Sequence, residues 1–98
     1  MKIPISFTLG GQDIRVVEMN RCEGDTLGNC CVGEGKIEIA HAFNGKQQPD
    51  SIKLNTFYHE LTHAILITMG QHELSDDEIF VCTFSSFLTE AVRSFKFD

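Results

Sequence analysis

The stretch Phe57-Tyr58-His59-Glu60-Leu61-Thr62-His63-Ala64-Ile65-Leu66 constrains this chain more than any other, because it sets two imidazoles and a carboxylate inside an apolar run with helical spacing. At about 3.6 residues per turn, positions four apart lie one above the other, so His59 and His63 share a face and can take adjacent corners of a tetrahedral metal site. Glu60, one step along, cannot easily join that coordination but stands where metal-assisted hydrolysis needs a general base. Leu54, Phe57, Tyr58, Leu61, Ala64 and Ile65 form one apolar face, while the histidines share a second with Ile52, Thr56 and Leu66. Two histidines four apart can also be hydrogen-bonded core residues. On a helix apolar nearly all round, however, unpartnered imidazoles and a carboxylate would be costly to bury, and a metal removes that cost.

Ninety-eight residues make one domain, residues 1–98, whose core is small enough that a bound metal could add usefully to stability. Fourteen acidic against eight basic residues leave a net charge of −6 and no basic patch, which argues against nucleic acid as a direct ligand. The first residues, Met-Lys-Ile-Pro-Ile, lack the uninterrupted apolar core of a signal peptide, and no run approaches the roughly 20 apolar residues of a membrane span. Cysteines 22, 30, 31 and 82 contain no C-x-x-C pair and match no standard zinc or disulfide framework. Reduced thiols in a cytoplasmic protein without membrane contact are the expectation, with a bridge from Cys22 to one of the vicinal pair as the alternative.

The fold class expected is α+β: a small antiparallel sheet of about three strands followed by two packed helices, the first a zincin-like metal helix. Residues 3–9 alternate apolar and polar, Gly10-Gly11 makes a tight turn, and 12–19 alternate again, so 3–19 read as a hairpin with Pro4 at its edge. Residues 20–35, rich in glycine, read as a long loop with a short strand near 30–32. Alternation returns at 36–41 as a third strand, followed by a polar turn. Asp50 or Ser51 can cap the metal helix, set at about 52–69, and Gly70 is its natural left-handed stop. Ser75-Asp76-Asp77-Glu78 has the form of a capping box, with Leu74 and Ile79 as a hydrophobic staple, and opens a helix to about residue 95. Its apolar arc, from Phe80 and Val81 through Phe84, Phe87 and Leu88 to Phe95, is expected to pack on the metal helix.

A zinc site capable of chemistry wants three protein ligands and an open position, so a third must come from downstream. His72 lacks the spacing and the glycine of a third-histidine site. Glu78 lies at the margin of the apolar arc and could point toward the metal helix; as the third residue after Ser75 it could equally fold back as a capping carboxylate. Asp77 and Glu73 are the next candidates. His59-Glu60-x-x-His63 followed by Glu78-x-x-Val81-x-x-Phe84-x-x-x-Leu88 resembles the glutamate-zincin (gluzincin-like) metallopeptidases, especially their miniature forms and the phage- and plasmid-associated ones that act on repressors. The resemblance covers residues 37–92. It implies that His59, His63 and Glu78 hold Zn2+, that Glu60 activates water, and that the strand at 37–41 borders the cleft. The oxyanion-stabilising tyrosine or histidine motif of larger members has no counterpart here, leaving Tyr58 and His41 as candidates.

Two functions follow as expectations. One is a zinc-dependent peptidase acting on a peptide or protein substrate laid antiparallel to strand 36–41. The other is a non-enzymatic module that binds a protein partner, its metal structural or vestigial, in which Cys82 could close the site as a fourth ligand.

Overall fold

The structure, a computed structural model, describes residues 2–22, 24 and 26–98. Strand β1 (Ser6–Leu9) turns through Gly10-Gly11 into β2 (Gln12–Met19), and both glycines have positive φ, 58° and 80°, as a two-residue hairpin turn requires. Pairing runs from Leu9 opposite Gln12 to Ser6 opposite Arg15. The expected hairpin is therefore present, shortened at its first strand, since Pro4 has no N–H to offer a ladder.

Strand β3 (Gly28–Cys31) passes through a single 3-10 turn, Val32–Glu34, and a left-handed Gly35 into β4 (Lys36–Ala40). The sheet has four strands in the order β1-β2-β4-β3, with β2 and β4 parallel and the other two pairs antiparallel. The α+β class stands, but the sheet is mixed rather than purely antiparallel and has four strands rather than about three. Burial explains the order. Ile37 and Ile39 of β4 are completely buried, whereas every residue of β3 is half-exposed, so the more apolar strand takes the interior and β3 the edge. A small second ribbon, β5 (Ala42–Phe43) with β6 (Lys46–Gln47), leads to the helices.

Helix α1 (Asp50–Thr68) begins two residues before the expected start. Neither Asp50 nor Ser51 caps it; Pro49 occupies that position, and its carbonyl accepts from the N–H groups of Ile52 and Lys53. Lys53, largely buried, ties this end to the sheet by donating to Glu18 at 3.1 Å. At the other end Gly70, with φ of 80°, provides the left-handed stop anticipated. One face of α1 packs Phe57 and Ala64 against Ile14, Ile37 and Ile39. Its opposite face receives α3 (Glu78–Ser94), so α1 is the middle layer between sheet and helix, which accounts for its all-round apolar character.

Helix α3 departs from expectation in two respects. Its buried positions are Val81, Ser85 and Thr89, while Phe84, Phe87 and Phe95 are exposed. Small side chains let the helices approach, and their hydroxyls are satisfied by carbonyls of α3 itself: Ser85 donates to Cys82 and Thr89 to Ser85. The capping box is also absent. A one-turn helix α2 (His72–Ser75) absorbs Ser75, and Asp77 is the N-cap, accepting from the Phe80 N–H at 3.1 Å, which makes Glu78 the first helical residue. Among the described residues no helix is long and apolar enough to cross a membrane.

Candidate metal centre

One turn of α1 carries the rings of His59 and His63 with centroids 5.0 Å apart. Because Asp77 takes the cap, Glu78 is released from that task and extends its carboxylate to the two imidazoles. Its Oε2 lies 3.5 Å from His59 Nε2, and its Oε1 lies 3.2 Å from His63 Nε2. Behind His63, Nδ1 is 2.9 Å from the hydroxyl of the buried Ser75. With the proton on Nδ1 donated to Ser75, the lone pair of Nε2 faces Glu78, the arrangement by which outer partners orient ligating histidines. One turn beyond Glu78, Cys82 Sγ is 3.9 Å from both His59 Nδ1 and Glu78 Oε2. Donor atoms of His59, Glu78 and Cys82 lie within 4.8 Å of one another, and this group could hold a metal ion.

The donor set suits such an ion. Nitrogen and oxygen ligands about 2.0–2.2 Å from a tetrahedral zinc are separated by roughly 3.3–3.6 Å, and the two imidazole–carboxylate separations, 3.5 and 3.2 Å, are of that size. Burial, with the neighbouring His63 adding to it, lowers the pKa of His59 against the opposing pull of Glu78. The His59–Glu78 contact therefore joins a neutral ring to a carboxylate, and the neutral ring is the form that ligates. His59 directs Nε2 at Glu78 and Nδ1 at Cys82, so it cannot serve one ion through both nitrogens. Among the described residues the group whose donor atoms converge is His59, Glu78 and Cys82, and His63 Nε2 stands beside it, 3.2 Å from Glu78 Oε1.

Glu60 is only 8 % exposed and packs toward the sheet. Burial first, and the Glu78 carboxylate second, raise its pKa to about 7. The edge strand leaves it room through Gly28, where an added Cβ would lie 2.7 Å from Thr56 Cγ2, 2.9 Å from the Glu38 carbonyl oxygen and 3.2 Å from Glu60 Cγ. In front of it opens a cleft of about 490 Å³ lined by Thr26, Leu27 and Gly28, by Phe43, and by Asn55, Thr56, His59, Glu60 and Cys82. A larger hollow of about 580 Å³ between α1 and α3 contains no histidine or cysteine, so the chemistry rather than the size locates the site.

Glu78 lies within 3.5 Å of both His59 and His63, and Glu60 lines the cleft beside His59, but the group whose donor atoms converge contains Cys82 in the place expected for His63. Other expectations shift. The strand at 36–41 does not border the cleft and cannot accept a peptide, because β2 and β3 occupy both its edges; β3 and the residues before it take that place. Tyr58 packs edge-on against Phe57, and His41 lies 3.6 Å from Glu18, so neither oxyanion candidate is among the described cleft residues. Asp77 is a cap, and Glu73 sits exposed on α2. Ser75, Gly28, Leu27 and Phe43 were not legible as site residues. Gly28 alone carried a signal, as a glycine between Leu27 and Asn29, two residues before the paired Cys30 and Cys31. All four cysteines are free. No family model, curated protein or solved structure matches the chain.

Proposed function

We propose that the chain is a zinc-dependent metallopeptidase, with His59, His63 and Glu78 as the residues that hold the ion and Glu60 as general base. The observation that carries the reading is the convergence of both imidazole Nε2 atoms on the two oxygens of Glu78, beside a buried carboxylate that opens on a cleft. When bound, zinc would supply Lewis-acid polarisation of the scissile carbonyl and make a water acidic enough to be deprotonated near neutral pH. The chain's own residues account for the rest. Glu60, with a pKa of about 7, suits a group that takes a proton from the attacking water and returns it to the leaving amine. Ser75 holds the His63 ring in place.

Strand β3 pairs with β4 alone among the described strands, so its other edge can receive an extended peptide by main-chain pairing. Leu27 and Phe43, both partly exposed, give that peptide an apolar wall, and the net charge of −6 fits a peptide or protein better than nucleic acid.

Glu60→Gln separates chemistry from binding. Zinc content, measured by elemental analysis, should match wild type, while hydrolysis of a peptide library should be lost. Loss of zinc in this variant would make Glu60 a ligand, and retained hydrolysis would dismiss it as the base. Proximity of Cys82 to His59 and Glu78 supports a second reading, a closed structural site without catalysis. Cys82→Ser distinguishes them: it leaves zinc affinity unchanged in the first reading and weakens it strongly in the second.

A further inference from the structure

The outward face of α3 carries Phe80, Phe84, Phe87 and Ala91, which recur at i, i+4, i+7 and i+11 and so form one stripe along the helix, with Phe95 just past its end as the C-cap. This face has no counterpart within the fold, since the buried positions of α3 are Val81, Ser85 and Thr89. Phe84 is 47 % and Phe87 67 % exposed, and Phe95 and Phe97, in edge contact with each other past the helix end, are both more than half exposed. Side chains of this size offer on the order of 200 Å² each, so the uncovered apolar surface of these four amounts to roughly 500 Å². That is the size of the largest apolar patch a typical monomer exposes, which is often functional.

From the stripe we propose that the protein forms a two-fold homodimer through antiparallel pairing of α3. Three features select a second copy as the occupant. The apolar surface is more than half of the ~800 Å² per partner that a standard interface buries. Antiparallel pairing also makes the stripe complementary to itself: Phe84 meets Phe87 of the second copy, and Phe80 fills the space above its Ala91, a large residue on a small one. Two-fold symmetry repeats both contacts and closes the assembly. Finally, α3 is preceded by Asp76 and Asp77 and carries Arg93 in its last turn, with Lys96 and Asp98 offsetting each other beyond it, so antiparallel pairing brings Arg93 toward the acidic end of the other copy with the helix dipoles opposed. None of the stripe residues lines the cleft beside His59, so the dimer leaves that cleft open and does not depend on the metal reading.

Sedimentation equilibrium of the full chain tests this. Wild type should approach twice its 11.0 kDa mass as concentration rises from micromolar to hundreds of micromolar. Phe87→Asp and Ala91→Arg should each raise the dissociation constant at least about tenfold. Both positions are exposed, so circular dichroism and melting temperature of the diluted monomer should not change. The arginine matters most, because it keeps helix propensity and obstructs only the site opposite Phe80. A monomer at every concentration overturns the proposal, as does a dimer indifferent to either variant or a mass that keeps growing past two copies.

Discussion

Glu60 concentrates the residue-scale physics of this protein, because the burial that would suit it to the proposed proton transfer also sets its ionised form against the stability of the fold. Its pKa rises from an ordinary value of 4.5 to about 7 on folding, through burial and then the Glu78 carboxylate. Between those values the folded form of Glu60 in the metal-free protein binds more protons than the unfolded form, so its contribution to stability falls as pH rises through this window, against the opposite contribution of His59, whose pKa is lowered. Below it both states are protonated and the contribution is fully present; above it the contribution is gone. Urea midpoints of metal-free protein below and above the window should show this decline, and Glu60→Gln, which cannot ionise, should flatten it. An identical pH dependence in the two proteins would mean that Glu60 is solvated like an ordinary surface carboxylate.

At the scale of elements, the short segment between α1 and α3 decides which side chains reach the imidazoles. Ser75-Asp76-Asp77-Glu78 could have been a capping box, but its parts are divided: Ser75 supports His63, Asp77 caps α3, and Glu78 is free to meet both histidines. Alanine at the two flanking positions should therefore have opposite signatures. Asp77→Ala should cost about 0.5–2 kcal/mol of stability with zinc affinity unmoved. Ser75→Ala should weaken zinc by roughly 10- to 100-fold through loss of the group that orients His63. Competition titration against a chelator dye, alongside thermal melts, reads both, and a Ser75→Ala protein with wild-type zinc affinity would remove Ser75 from the site.

For the whole molecule, three layers and only 98 residues leave a small core, so an ion shared by α1 and α3 would join the two helical layers. Zinc at 100 times its dissociation constant should stabilise the fold by about 2.7 kcal/mol, and chelation should remove that increment and lower the melting temperature. His59→Ala should melt like the chelated wild type and ignore added zinc. A wild-type melting curve insensitive to both zinc and chelator would refute a metal site in the folded protein.

What the sequence determined by itself is what depends on near neighbours along the chain. His59 above His63, the Gly10-Gly11 hairpin and the Gly70 stop all follow from helical period and backbone freedom over a few residues, and each is found where those rules put it. Pairing over longer separations was open. That β4 enters between β2 and β3, that Gly28 comes against Glu60, and that Ser75 reaches His63 depend on which surfaces are most apolar and which backbones can approach. The same holds for α3, whose apolar arc was legible but not its division. Only packing against α1 chose the small side, with Ser85 and Thr89 inward, and left the phenylalanines outside, because close helix contact rewards shape as well as hydrophobicity.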